Sequence, residues 1–121
     1  MLMKDKVVII SGIGPGLGVE LALLAAREGA EAVVLAARTA SKLSDAAAQI
    51  AGLGLGTRTL EVPTDIAKPE DCRNLIEKSV AAFGRIDALV NSAYIPGKFG
   101  SWEKWDFDDW RKTLDVNLFG S

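Results

Sequence analysis

The residues of this 121-residue chain best suited to chemistry begin where its first apolar run ends. Ser11-Gly12-Ile13-Gly14-Pro15-Gly16-Leu17-Gly18 lies between the run Val7-Val8-Ile9-Ile10 and a stretch of helical period. A glycine turn that leaves a strand and opens a helix can hold a pyrophosphate, because the first amides of the helix point at it unpaired. The spacing is G-x-x-x-G-x-G at Gly12, Gly16 and Gly18. The commoner G-x-G-x-x-G fails, since its last position falls on Leu17 or on Val19. Gly12 lets the chain leave the strand, Gly16 lets backbone approach the phosphates, and Gly18 lets the helix pack close to the strand. A plain strand-to-helix connector is the competing reading of the same glycines. A P-loop is excluded, because no Lys-Ser or Lys-Thr follows them.

The elements that must position this turn alternate along the chain. Val7–Ile10 is β-branched without polar alternation, which predicts a strand buried on both faces. Leu17–Glu28 predicts a helix with Leu17, Leu21, Leu24 and Ala25 on one face, ended by Gly29. Ala32–Ala36 predicts a second strand. Ser41 suits the cap of a helix reaching about Leu53, and Ala51–Gly56 is a loop. Thr57–Val62 predicts a third strand. A third helix starts at Pro69, preceded by Asp65 or Lys68, and stops at Gly84. Ile86–Val90 predicts a fourth strand, Ser92–Lys104 a loop, and Asp106–Leu118 a fourth helix. This β-α-β-α-β-α-β-α order predicts a Rossmann-type α/β domain over residues 1–121, a doubly wound parallel sheet. Right-handed crossovers favour the strand order 3-2-1-4. The turns after the first and fourth strands then line one crevice at the carboxyl ends.

Composition narrows the classes. The net charge is −2, with no basic run or stripe, which predicts neither a nucleic-acid nor a membrane partner. The chain has no histidine and a single cysteine, Cys72, so zinc sites of the usual kind, a His-based triad and an internal disulfide are excluded. The apolar run before Gly12 is too short for a signal or a span, and the expected location is cytoplasmic.

Four segments in order resemble the short-chain dehydrogenase/reductase family. Ser11–Gly18 is similar to its T-G-x-x-x-G-[IL]-G, with serine for threonine. Thr64-Asp65-Ile66 resembles its adenine-binding Asp-Val. Val90-Asn91-Ser92-Ala93-Tyr94 resembles V-N-N-A-G, and Asp115-Val116-Asn117 resembles D-V-N. The resemblance implies a nicotinamide cofactor contacted by Ser11, Gly12, Gly14, Pro15, Gly16, Leu17 and Gly18. It adds Arg38, Thr39, Asp65, Ile66, Asn91, Ser92, Ala93 and Val116. It implies that Asp65 accepts from the adenine amino group while Ile66 packs on the ring. A helix cap near Pro69 is the other reading of Asp65, and the two are compatible. The resemblance makes Asn117 the catalytic asparagine, which keeps a helix kink and a water in the proton relay. Ser92 and Tyr94 depart from the family's second Asn and its Gly. A side chain at position 94 shifts the cofactor unless it points outward.

The second strand ends Leu35-Ala36-Ala37-Arg38-Thr39. Ala37 stands where an acidic residue would bond the ribose hydroxyls, and the Arg38 guanidinium suits a 2′-phosphate. NADP(H) is therefore favoured over NAD(H). Arg38 solvated or stacked on adenine is the alternative, and Pro15 supplies no charge where many NADP(H) relatives have Lys or Arg.

The family's Ser and its Tyr-x-x-x-Lys pair lie on later elements. Tyr94-Ile95-Pro96-Gly97-Lys98 has that spacing but precedes Asn117, and Pro96 with Gly97 disfavours the helix the pair needs. The C-terminal half is thus absent from this sequence, as in a fragment, a truncated product or a free-standing module. The chain alone is expected to be inactive. The complete protein is expected to form a dimer or tetramer and to act on an alcohol or carbonyl substrate. The fourth strand is expected at an uncovered edge. Trp105, Phe107, Trp110, Leu114 and Phe119 form either a subunit contact or local core beneath the Ser92–Lys104 loop. Two other readings are a non-catalytic NADP(H)-binding module and an S-adenosylmethionine methyltransferase. Ala37 and Arg38 argue against the second of these.

Overall fold

A computed structural model describes all residues, Met1–Ser121. Strand β1 spans Val7–Ser11, followed by helix α1 (Leu17–Arg27), β2 (Ala32–Ala37), α2 (Ala40–Gly52), β3 (Arg58–Pro63), α3 (Pro69–Phe83) and β4 (Ala88–Asn91). A short 3₁₀ turn (Trp102–Lys104), α4 (Phe107–Leu114) and a π-helical turn (Asp115–Phe119) complete the chain. The four strands form one parallel sheet in the order β3-β2-β1-β4, the doubly wound arrangement expected. Central β1 is buried at every residue, which is why its sequence lacks polar alternation.

Successive residues of β1 feed two cores. Val8 and Ile10 join Val33, Leu35, Ala22 and Leu43 under α1 and α2, while Ile9 joins Val34, Val62 and Leu75 under α3. Asp87 ties the amino end of β1 to the approach to β4. Its Oδ2 accepts from the Val7 amide at 2.8 Å, and its own amide donates to the Val7 carbonyl at 2.9 Å.

Three expectations are corrected. The buried face of α1 is Gly18, Val19, Ala22, Leu23, Ala25 and Ala26. Leu17 and Leu24 lie 66% and 50% exposed, so only Ala25 of the expected face is fully buried. Small residues let α1 approach the sheet closely, with Val19 and Leu23 buried beside them, while Leu17 and Leu24 stand at its rim. The cap of α2 is Thr39, two residues before Ser41. The fourth helix keeps its expected start, where Asp106 and Asp109 form a reciprocal capping box, but regular α-helix ends at Leu114. The π-turn then carries Asp115–Phe119, a single wide turn of the kind frequent at functional sites.

Strand β4 lies at the sheet edge, as expected. Leu89 on it and Ile76 and Val80 on α3 are each about half exposed. No helix is long and apolar enough to cross a membrane.

Candidate functional site

The carboxyl ends of β1, β2 and β4 converge on the glycine turn. The amides of Gly12 and Ile13 both donate to the Ala36 carbonyl at the end of β2, at 2.9 and 3.1 Å. Ser92, just past β4, donates its amide and its hydroxyl to the Ser11 carbonyl, at 2.8 and 2.9 Å. Gly12 has φ +105°, a backbone favourable only to glycine, and a Cβ there would run into the Ala93 amide. A Cβ on Gly18 would collide with the Gly12 carbonyl. Gly12 and Gly18 thus serve close backbone packing.

Gly14 and Gly16 differ: a Cβ on either would meet nothing within 4 Å. They border open space. The amides of Gly14, Gly16, Leu17, Gly18 and Val19 have no protein acceptor, and Gly16 caps α1 without a side-chain bond. Pro15 is exposed beside them and lacks an amide hydrogen. A cluster of free amides at a helix start beside an open cradle fits a pyrophosphate in charge and in space.

Around this cradle stand the other residues singled out in the sequence. Arg38 and Thr39 are exposed at the end of β2. Arg38 forms no ion pair, and the Thr39 side chain makes no capping bond. Thr64 is buried, its amide bonded to the Ala37 carbonyl at 2.8 Å, which brings the next residue beside β2. Asp65 does not cap α3, whose cap is Lys68. Its Oδ1 instead accepts from the Ala67 amide at 3.0 Å, a local turn that leaves Oδ2 without a protein partner. Ile66 is half-buried. Cys72, on the first turns of α3, donates through Sγ to the Ile66 carbonyl at 3.5 Å. Burial pushes its thiol pKa up, and the neighbouring carboxylates of Asp71 and Asp65 push it further.

Asn91 is exposed at the end of β4, opposite Ser11 in register. Tyr94 is 72% exposed. Asn117 sits in the π-turn and grips the loop after β4. Its Oδ1 accepts from the Ile95 amide and its Nδ2 donates to the Ile95 carbonyl, both at 2.8 Å. Val116 is half-buried beside it. No helix spans Tyr94–Lys98. Lys98 pairs instead with Asp109 at 3.5 Å, so the Tyr-x-x-x-Lys string lacks the helical geometry of a catalytic pair. Trp105 is half-buried, its ring 5.1 Å from that of Trp110 and against Gly97, as local core under the loop. Phe107 and Phe119 are 88% and 75% exposed.

Sequence reasoning missed the Ile95 grip and the anchoring role of Ser92. The first spans 22 positions and the second 81, and neither leaves a local pattern.

Comparison with known proteins matches this arrangement. The short chain dehydrogenase family model covers residues 6–121. The chain belongs to the short chain dehydrogenase family. It is 38% identical over 118 residues to 11-beta-hydroxysteroid dehydrogenase A of Sesamum indicum, covering 98% of this chain and 33% of that one. The 3-ketoacyl-(acyl-carrier-protein) reductase of Brucella melitensis, solved with NADH, is 31% identical with a TM-score of 0.88, over 98% of this chain and 46% of its own. L-Sorbose reductase of Gluconobacter frateurii, solved with NADPH and L-sorbose, is 31% identical with a TM-score of 0.87, over 98% and 44%. This family member thus spans between a third and a half of the relatives it matches.

Proposed function

We propose that the crevice at the carboxyl ends of β1, β2 and β4 binds a nicotinamide dinucleotide, NADP(H) in preference to NAD(H). The complete protein would be an oxidoreductase acting on an alcohol or carbonyl substrate. The observation that carries this reading is the open cradle at Gly14 and Gly16 with its free amides. When bound, the nicotinamide gives or takes the hydride.

This chain's residues hold and orient. The amides of Gly16, Leu17 and Gly18 face the pyrophosphate, with Gly14 and Pro15 bordering it and Ser11 and Gly12 setting the turn. Asp65 Oδ2 accepts from the adenine amino group, and Ile66 lies under the ring. Asn91, Ser92 and Ala93 line the ribose end with Val116 behind them. Asn117 fixes the loop after β4, so that proton-carrying groups supplied by later residues meet a set geometry. Arg38 and Thr39 take the 2′-phosphate. Support comes from a guanidinium free of protein partners and a second-strand end without a carboxylate. The two structural relatives described above carry one form of the cofactor each, so the preference rests on this chain's own residues. A dimer or tetramer of the complete protein is part of the same proposal, supported by the exposed aromatic face of α4 and the turn after it.

Titration with NADPH and NADH tests the reading. Binding that is lost when the cradle is filled by Gly16→Val supports it; absence of binding by either nucleotide overturns it.

A further inference from the structure

Gly120 directly follows the π-turn. Its φ of −75° and ψ of −25° suit any residue. Space, not backbone angle, forbids a side chain here. A Cβ on Gly120 would stand 2.8 Å from the Ile66 carbonyl oxygen, 2.9 Å from the Asp115 carbonyl oxygen and 2.9 Å from Ile66 Cγ1. Two of these three atoms are backbone and cannot rotate away, so the turn itself would have to retreat.

Both sides of this contact are anchored. The Gly120 amide donates to the Asp115 carbonyl at 2.7 Å, closing the turn that carries Asn117. The Ile66 carbonyl receives the Cys72 thiol from α3 at 3.5 Å. One end of the contact therefore belongs to the Asp65–Ile66 turn, and the other to the turn that carries Asn117 and its grip on Ile95. The two 2.8 Å bonds from Asn117 to Ile95 are directional, and a shift of the turn would break their alignment.

We propose that the Ile66–Gly120 contact is a strut that sets the position of Asn117 from the adenine end of the crevice, with Gly120 as a positioning residue. That this end of the crevice takes adenine rests on the proposed cofactor site. The strut itself is a property of the free protein.

Amide hydrogen exchange at Ile95, read by NMR on the 121-residue chain, tests it. In the free protein, Gly120→Ala should speed Ile95 exchange by about tenfold or more, approaching Asn117→Ala, while amides within β1 and β2 keep their protection. Unchanged Ile95 exchange in a folded Gly120→Ala protein would overturn the strut. A second measurement uses only the wild-type chain, so it holds even if the variant fails to fold. Adenosine 2′,5′-bisphosphate presents the adenine end of the cofactor without nicotinamide. Its binding should slow Ile95 exchange in the wild type, and binding that leaves Ile95 unchanged would overturn the coupling. If it does not bind at all, the cofactor site is what fails, and the free-protein comparison still decides the strut.

Discussion

The Ser11 carbonyl receives Ser92 twice, from its amide at 2.8 Å and from its hydroxyl at 2.9 Å. The hydroxyl also lies 3.5 Å from the Gly12 carbonyl. One side chain therefore fastens the end of β4 to the start of the glycine turn. The resemblance puts an asparagine at this position; in this chain a serine hydroxyl makes the bond. Ser92→Ala should keep the amide bond and lose the hydroxyl bond, costing about 1 kcal/mol in a urea melt. A wild-type melting midpoint in Ser92→Ala would show that the hydroxyl fastens nothing.

Two glycines of the turn should separate folding from binding. A methyl at Gly18 enters the Gly12 carbonyl, a backbone atom packed against β4, so Gly18→Ala should cost about 1–3 kcal/mol or more by overpacking. A methyl at Gly16 meets no protein atom, so Gly16→Ala should cost no more than the N-cap preference for glycine over alanine, about 1 kcal/mol or less. It should nevertheless weaken NADPH binding. Paired denaturant melts and binding titrations check this. Equal stability losses in the two variants would contradict the division of roles.

Asp87 should make stability depend on pH in a predictable direction. The hydrogen bond from Arg85 lowers its pKa, and the bond from the Val7 amide lowers it further. A carboxylate whose pKa is depressed by folding stabilises above its unfolded value, about 3.9, and that contribution is lost as pH falls through the folded value. Asp87→Ala should therefore be less stable than wild type at neutral pH, and the gap should narrow as pH falls below the unfolded value. A gap that widens on acidification would contradict this account.

Cys72 should react slowly. Burial and the carboxylates of Asp71 and Asp65 hold its pKa up, so little thiolate exists at neutral pH. Iodoacetamide should alkylate it more slowly than it alkylates a free cysteine, and Asp71→Asn should speed the reaction. Alkylation as fast as that of the free amino acid would contradict the assignment.

The legible parts of the fold were those fixed by local chemistry. Val7–Ser11 shows itself as a central strand because both its faces are buried and no polar residue interrupts Val7–Ile10. Pro69 and Gly84 mark the ends of α3 because one lacks an amide hydrogen and the other takes φ +75°. The glycine spacing exposed the cradle for the same reason. The buried face of α1 was not legible, since it is selected by close approach through Ala22 and Ala26 rather than by the largest apolar groups. The π-turn left no hydrophobic signature, because it adds only one residue to a turn; only the resemblance pointed to a kink at Asn117. The Asn117–Ile95 grip depends on how a loop closes onto a helix, which only the folded chain determines.

The most direct test of the central claim compares the dissociation constants of NADPH and NADH for this chain and for Arg38→Ala. Arg38 stands unpaired at the end of β2, where a 2′-phosphate would accept charge-assisted bonds worth about 1.5–3 kcal/mol, or roughly tenfold or more in affinity. The account predicts tighter NADPH binding in the wild type and near-equal binding of the two in Arg38→Ala. Tighter NADH binding in the wild type would contradict the cofactor preference, and failure of both nucleotides to bind would contradict the cradle itself.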